Sequence, residues 1–364
     1  MTSRNWKCAG IMILTLMIPG LILWARPTAH ATSSREALRE KVVQLLRERY
    51  AIADNVQVTA GPLESSQDPA FYECLITYDN GQKKSAQPVS ISKDGRYLAV
   101  SPLFYLGSDT NADLTRSIRT YFKLGPEWSL SVGALRPSPV PNFDEIVVTA
   151  EKGGQKQDGE FYITKDKRFA ALGTVFIVRT SREIERMINT RNQPCSGPAN
   201  APVTIVEYAD LECPTCARLQ PFLENDLLPR YQNKIRLIYK EFPLPMHTWS
   251  RKAAIASQCA YEIDPSAFVR YRSSIFAHQS EINVTNVRDQ LLQLGESAGI
   301  NRLKLAACMD SEATLSRVEA DLREGNELQV TSTPTCFING KMVVGIQPPA
   351  EFYKVIDGAL RHAQ

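Results

Sequence analysis

Apolar residues fall at helical spacing at Leu38, Val42, Leu45 and Leu46, and again at Leu114, Ile118 and Tyr121. Each set predicts an amphipathic helix. Ser33 and Glu36 predict a capping box opening the first. Strand-like runs follow it at Val56–Thr59, Phe71–Tyr78, Pro88–Ser92 and Tyr97–Tyr105, with Asn80-Gly81 and Asp94-Gly95 as the turns. A helix on an antiparallel meander is expected, and the pattern then returns. Phe71-Tyr72-Glu73 is answered by Phe143-Asp144-Glu145, Ile91–Tyr97 by Ile163–Phe169, and Phe104 by Phe176, each 72 residues later. Such self-similarity predicts two copies of one unit, 32–106 and 107–180. Cys74 falls within a strand and reads as a buried apolar residue.

The pattern changes after residue 180. Arg182–Ile188 predicts a connecting helix, and Asn192–Pro202, rich in Pro and Gly, reads as a linker, so 181–202 joins two regions. Val203–Ala209 has the pattern of a buried strand. Ala217, Leu219, Phe222, Leu223 and Leu227 suggest a helix that Pro221 kinks. From about 249 to 328 the chain reads as five helices: Ser250–Tyr261, Ala267–Ala277, Val284–Ala298, Arg302–Met309 and Ala313–Leu328. Val330–Val344 then reads as strand, Asn-Gly hairpin, strand.

Composition narrows the class. At 364 residues, 43% apolar and 22% charged, the chain is not disordered, collagen-like or a multi-span membrane protein. Its formal charge is +3 and no basic run is interleaved with aromatics, which argues against a nucleic-acid partner. Arg4 and Lys7 precede an apolar run from Ala9 to Trp24, followed by Ala29-His30-Ala31. Residues 1–31 are therefore expected to be a secretory signal, with an uncleaved anchor as the alternative. Cleavage after Ala31 leaves 39 basic and 39 acidic side chains in an exported, periplasmic or extracytoplasmic, protein. Seven of the eight cysteines remain, an odd number in an oxidising compartment, so at least one thiol is free or pairs between chains.

The candidate chemistry is Cys213-Pro214-Thr215-Cys216, four residues after the buried strand and opening the next helix. Pro214 suits the first helical turn, where a missing N–H costs nothing. Backbone donors and the helix dipole favour a thiolate at Cys213, and Cys216 lies one turn on, in reach to close a disulfide. A zinc half-site is the rival reading, but there is no second CxxC and no closely spaced pair among His30, His247, His278 and His362. No metal or cofactor is expected. Downstream, Thr333-Pro334-Thr335 puts a proline at the start of a strand, which needs a special reason.

Taken together these motifs resemble the DsbA-type thiol–disulfide oxidoreductases. The likeness runs over 198–361: the lead-in Ala201–Tyr208, the Cys-Pro-Thr-Cys site, Glu241–Pro245 with His247, Thr333-Pro334-Thr335 and Gly345–Pro349. It implies an α/β thioredoxin-like domain over 203–364 whose helical insertion, about 249–328, shapes a substrate groove. Ser138–Phe143 and Phe161–Asp166 resemble the dimerisation region of DsbC/DsbG-type isomerases, which implies an α+β, cystatin-like fold for each N-terminal copy. This chain departs from that family in carrying two copies.

The resemblance assigns Cys213 as nucleophile, Cys216 as resolving thiol, and Pro334, after Thr333, as a cis-proline holding substrate beside the disulfide. Glu207 matches a buried acid that takes a proton near the resolving cysteine, against the plainer reading of a solvent-facing strand residue. Glu212 beside the nucleophile would oppose thiolate formation. His247 reads as a rim residue or a solvated one. Cys259 and Cys308 recur as a structural disulfide in resembling proteins. Cys336 is expected near the redox site, pairing with Cys195, reacting as a third thiol, or simply packing. The expected partners are cysteine-containing client proteins and a membrane redox partner. The chain is expected as a monomer with pseudo-dimeric repeats or as a homodimer. Oxidase and isomerase directions stay open, as does a rival role in which the repeats hold unfolded clients.

Overall fold

The computed structural model describes residues 29–50, 52 and 55–362; the expected signal segment lies outside them up to residue 28. Contacts divide the chain into two units, one running to Val178 and the other from Arg179, with a short piece around Glu48–Ala51 grouped with the second.

The first unit begins with α1 (Ala29–Arg49), which starts upstream of the predicted capping box. Ser33 therefore lies within the helix span and not at its N-cap position. After α1 come β1 (Gln57–Ala60), β2 (Glu64–Ser65), β3 (Phe71–Asp79), β4 (Lys84–Ser92), β5 (Tyr97–Ala99) and β6 (Leu103–Tyr105). Then follow α2 (Thr110–Phe122), β7 (Ser129–Val132), β8 (Arg136–Pro137), β9 (Phe143–Lys152), β10 (Gln155–Thr164), β11 (Phe169–Ala171) and β12 (Val175–Ile177). α2 opens with the Asp109 side chain accepting from the Ala112 amide and ends on Lys123 in the left-handed region. It buries Leu114 and Ile118.

The strand expected over Tyr97–Tyr105 is two strands in two sheets. One sheet has the order β1-β3-β4-β5-β12 and the other β6-β11-β10-β9-β7. The chain crosses from the first sheet to the second at Val100-Ser101-Pro102, and β12 crosses back to pair with β5, with Phe176 opposite Leu98. In the same way β6 pairs with β11, with Phe104 opposite Ala170. Pro102 cannot donate to a ladder, and it stands between the end of β5 at Ala99 and the start of β6 at Leu103. At the crossing the Val100 amide donates to the Thr174 carbonyl (2.9 Å) and the Leu172 amide to Ser101 Oγ (3.0 Å). A Cβ on Gly173 would lie 2.4 Å from the Val100 carbonyl oxygen, so only glycine allows the strands this close. Phe176 packs with Val42, Leu46, Ile76 and Ile91 under α1, and Phe104 packs with the core under α2. Between the sheets Phe71 and Phe143 meet edge to face, centroids 6.4 Å apart.

The second unit opens with α3 (Ser181–Met187), whose N-terminus is capped by a reciprocal Thr180–Glu183 capping box. β13 (Cys195–Ser196) follows, then β14 (Val203–Ala209), α4 (Pro214–Phe222), a π-helical turn (Leu223–Leu227), α5 (Leu228–Tyr231) and β15 (Ile235–Glu241). Two residues of the segment expected as a linker, Cys195-Ser196, are thus part of the sheet, Cys195 pairing with Ile238. Five helices intervene: α6 (Ser250–Ile263), α7 (Phe268–Ala277), α8 (Val287–Ser297), α9 (Arg302–Asp310) and α10 (Leu315–Glu327). The chain ends with β16 (Thr335–Ile338), β17 (Lys341–Val344) and α11 (Pro349–His362). The sheet order is β13-β15-β14-β16-β17, with β14 and β15 parallel and the other pairs antiparallel. Asn339 (φ 41°) and Gly340 (φ 74°) make the β16–β17 turn, both residues left-handed as a type I′ hairpin requires.

Candidate active site

β14 is buried through its last five residues, which fixes the strand end and aims the following turn out of the sheet. Asp210 shapes that turn: its carbonyl accepts from the Cys213 amide (3.0 Å) and its Oδ1 from the Glu212 amide (2.8 Å). Cys213 is then the N-cap of α4, in extended backbone geometry, with Pro214 in the first turn. The Ala217 amide donates to the Cys213 carbonyl (3.2 Å). Gln279, from the loop after α7, donates to the carbonyls of Leu211 (2.7 Å) and Cys213 (3.1 Å), fixing the turn from outside.

Cys213 and Cys216 are both thiols here, 6% and 0% exposed. The Cys213 thiol is lowered to about 5, first by the hydrogen bond from Cys216, then by the Thr333 side chain and the α4 amides, against its burial. The Thr333 hydroxyl has no other partner. Burial and the neighbouring Cys213 sulfur push the Cys216 thiol far up. A single turn of helix thus separates a ready thiolate from a thiol that keeps its proton. The Thr333–Pro334 peptide is cis, and the Cys213 Sγ lies 3.4 Å from the Thr333 carbonyl oxygen. The Pro334 carbonyl accepts from the Gly345 amide (2.8 Å), holding this strand entry in place.

Glu212 was expected to oppose the thiolate. Its carboxylate instead takes the first amides of α6, Trp249 (2.6 Å) and Ser250 (2.9 Å), and the Thr248 hydroxyl (3.2 Å). The helix N-terminus absorbs its charge. His247 pairs through Nδ1 with buried Asp210 Oδ2 (2.7 Å).

Glu207 is wholly buried, not solvent-facing. Burial raises its carboxyl, opposed by Arg272, whose Nη2 donates to Oε2 (3.1 Å). The same guanidinium reaches Glu241 (3.2 Å) and lies over the rings of Tyr239 and Phe276, 5.2 Å from each centroid. Glu241 is pushed up to about 7 by burial, against Arg272 and a hydrogen bond from Ser257 (2.7 Å). A second buried ion group lies at the same sheet: Lys240 pairs with Asp321 (3.0 Å) and Glu324 (2.7 Å), and the Tyr208 hydroxyl donates to Glu324.

Cys213, Cys216, Thr333 and Pro334 therefore come together, with Glu207 behind Cys216. Cys259 and Cys308 are joined by a disulfide that ties α6 to α9. Cys336 is buried opposite Glu207 in the β14–β16 register, and burial holds its thiol well up. It does not pair with Cys195, which is exposed on β13 with Arg236 3.5 Å from its sulfur. Cys74 is a buried thiol in β3. No sequence motif singles out Arg272, Asp210 or Gln279, and Glu241 enters only within the Glu241–Pro245 stretch, with no role of its own. Lys240-Glu241, two adjacent charges closing a strand whose middle is Leu237-Ile238-Tyr239, is the signal that buried partners would be needed.

Residues 189–358 match the family described as Thioredoxin. Disulfide bond formation protein D of Bacillus subtilis is 28% identical over 177 residues, 47% of this chain and 78% of that protein. Na(+)/H(+) antiporter NhaA 3 of Salinispora tropica is 32% identical over 146 residues, 40% of this chain and only 21% of the antiporter. Among solved structures, oxidised BdbD from Bacillus subtilis superposes with a TM-score of 0.43 at 26% identity, covering 48% of this chain and 95% of that one.

Proposed function

We propose that this chain, whose residues 189–358 form a DsbA-like thioredoxin domain, is an exported thiol–disulfide oxidoreductase that exchanges disulfides with cysteine-containing proteins. The observation that carries the reading is Cys213 at the α4 N-terminus, its sulfur 3.4 Å from the carbonyl that precedes Pro334. Cys213 attacks, or is attacked by, a client sulfur, and the client chain lies along the Thr333–Pro334 edge. Cys216 resolves the mixed disulfide, with Glu207 as its proton acceptor. A Cys213 thiol lowered to about 5 stabilises the dithiol form, which favours the direction of a disulfide donor recharged by a membrane partner. Export would use residues 1–31 as the signal, and the N-terminal residue of the mature protein checks that assignment. Among the described residues no helix is long and apolar enough to cross a membrane.

The test is the Cys213–Cys216 reduction potential, by glutathione equilibration with Cys216→Ser as control. A value above about −150 mV supports a donor, and one near or below about −230 mV an isomerase or reductase kept reduced. Absence of exchange ends the enzyme reading.

A second reading concerns the first unit. Its strands recur at a 72-residue offset, β3 with β9, β5 with β11 and β6 with β12, and the two sheets trade their last strands. We read this as a tandem duplication in which one chain makes the pairing that two chains would otherwise make, so the protein is a monomer. Sedimentation at a monomer mass supports this, and a dimer held through 32–180 overturns it. If the unit's role is to hold unfolded clients, Cys213→Ser keeps client protection while losing exchange.

A further inference from the structure

Behind the cysteines the molecule has a feature that the exchange step alone does not use. A groove of about 140 Å³ runs beside α4 and α7, lined by Ala217, Gln220, Pro221, Glu224, Ser273 and Phe276. Glu224 stands on the π-helical turn Leu223–Leu227, a wider turn that often marks a functional position. Its carboxylate accepts from Ser273 Oγ (2.7 Å) and from Gln220 Nε2. Gln220 is 2% exposed, and its Oε1 has no protein partner. The same holds for Glu207 Oε1 and Arg272 Nε, both fully buried. Buried polar atoms are normally satisfied, by internal water where the protein offers nothing. Arg272 links the two ends: it bonds Glu207 directly, and its charge acts on Glu224.

We infer that Glu224 and this groove form the solvent outlet for the proton that Glu207 takes from Cys216, a route carried by water past Gln220 and Arg272. The inference rests on Cys216 being the resolving thiol. In that step the Cys216 S–H breaks and its proton goes to Glu207. The sulfur forms the Cys213–Cys216 bond, and the client thiolate leaves with the electron pair of the broken mixed disulfide. The two enzyme thiols are oxidised and the client disulfide is reduced. Glu207 then returns to carboxylate by passing the proton through water to Glu224, which releases it. The reverse direction runs the same route inward. The groups facing this route are Arg272 from α7, Tyr239 and Glu241 from β15, Cys216 from α4, Cys336 from β16 and, beyond Glu241, Asp321 from α10. Burial raises both Glu207 and Glu224, so each holds a proton more readily than an exposed carboxyl does.

The test uses the full chain loaded with glutathione on Cys213, with the release of glutathione followed against pH. Glu224→Gln is expected to slow release roughly 10-fold and to flatten its rise with pH, leaving the equilibrium potential unchanged. Glu224→Ala is expected to be slowed likewise and to regain rate with added formate, which fits the groove. Wild-type rates in both variants while Glu207→Gln is slow overturn the outlet and leave the exchange reading standing. An equal slowing at every pH with no effect of formate also overturns it, since that is the mark of a structural role. If wild-type protein releases no glutathione, the assignment of Cys216 fails and the outlet falls with it.

Discussion

The two units bury very different things. Among the described residues of the first, the buried polar groups are four serines and Asp68, whose Oδ1 does nothing more than accept the Ala70 amide in a turn (2.8 Å). In the second, Glu207, Asp210, Lys240, Glu241, Arg272 and Asp321 are all nearly or fully buried. Ions in a low-dielectric interior cost several kcal/mol each unless paired, and apolar replacements are often as stable. Stability alone does not call for such groups. Glu207, Glu241 and Arg272 share one buried group beside Cys216, while Lys240 and Asp321 pair around Tyr208 and Glu324; the unit without a redox motif buries no such ions among its described residues. The first unit shows what this chain builds when only packing is required.

The sharpest way to break that comparison is to exchange the thiols. Cys213→Ser should lower the rate of disulfide exchange roughly 10³-fold or more, because no other described thiol combines a low titration point with a resolving neighbour. Cys74→Ser in the first unit should leave it unchanged, since burial pushes that thiol up to about 11. An assay of glutathione exchange on each variant decides it, and a Cys74 effect of similar size would undo the division of labour.

Arg272→Met should cost about 3–5 kcal/mol in urea unfolding, as it leaves Glu207 and Glu241 buried without their shared cation. Both carboxyls are already raised, so the loss should shrink as pH falls and they take up protons. Ile91→Ala in the first unit should cost about 2–5 kcal/mol with no such pH dependence. Parallel slopes for the two variants would show that the buried charges are not the cause.

The smallest effect is a titration. The Cys213 thiol is depressed from 9.0 to about 5, so its contribution to the folded dithiol form is complete above the ordinary thiol range. It is lost as pH falls through about 5. Thiolate absorbance of the reduced protein should show one midpoint near that value, and Cys213→Ser should remove it.

Much of the second unit could be read from sequence because its signals are local. Cys213–Cys216 follow a buried strand, Asn339-Gly340 marks a hairpin, and the five inserted helices announce themselves by spacing. The proximity of Glu212 to Cys213 along the chain says nothing of the α6 amides that receive its carboxylate. Arg272 looked like any polar residue on an amphipathic helix; only the fold brings it to Glu207. In the first unit the strand expected over Tyr97–Tyr105 divides for the same reason. Tyr97–Tyr105 reads as one strand but for Pro102, and nothing local says that its two ends belong to different sheets. Which strand a segment pairs with is set by the rest of the chain.

That crossing governs how the molecule can be made. β5 appears early in synthesis, yet the strand that covers its edge is Val175–Ile177, at the far end of the unit. At about 5–20 residues per second the edge waits on the order of ten seconds for its partner to be synthesised. Until then it is an open template for any passing strand, including a neighbouring copy of itself. The first half cannot mature ahead of the second, and the unit as a whole must complete as one event after residue 177 has emerged.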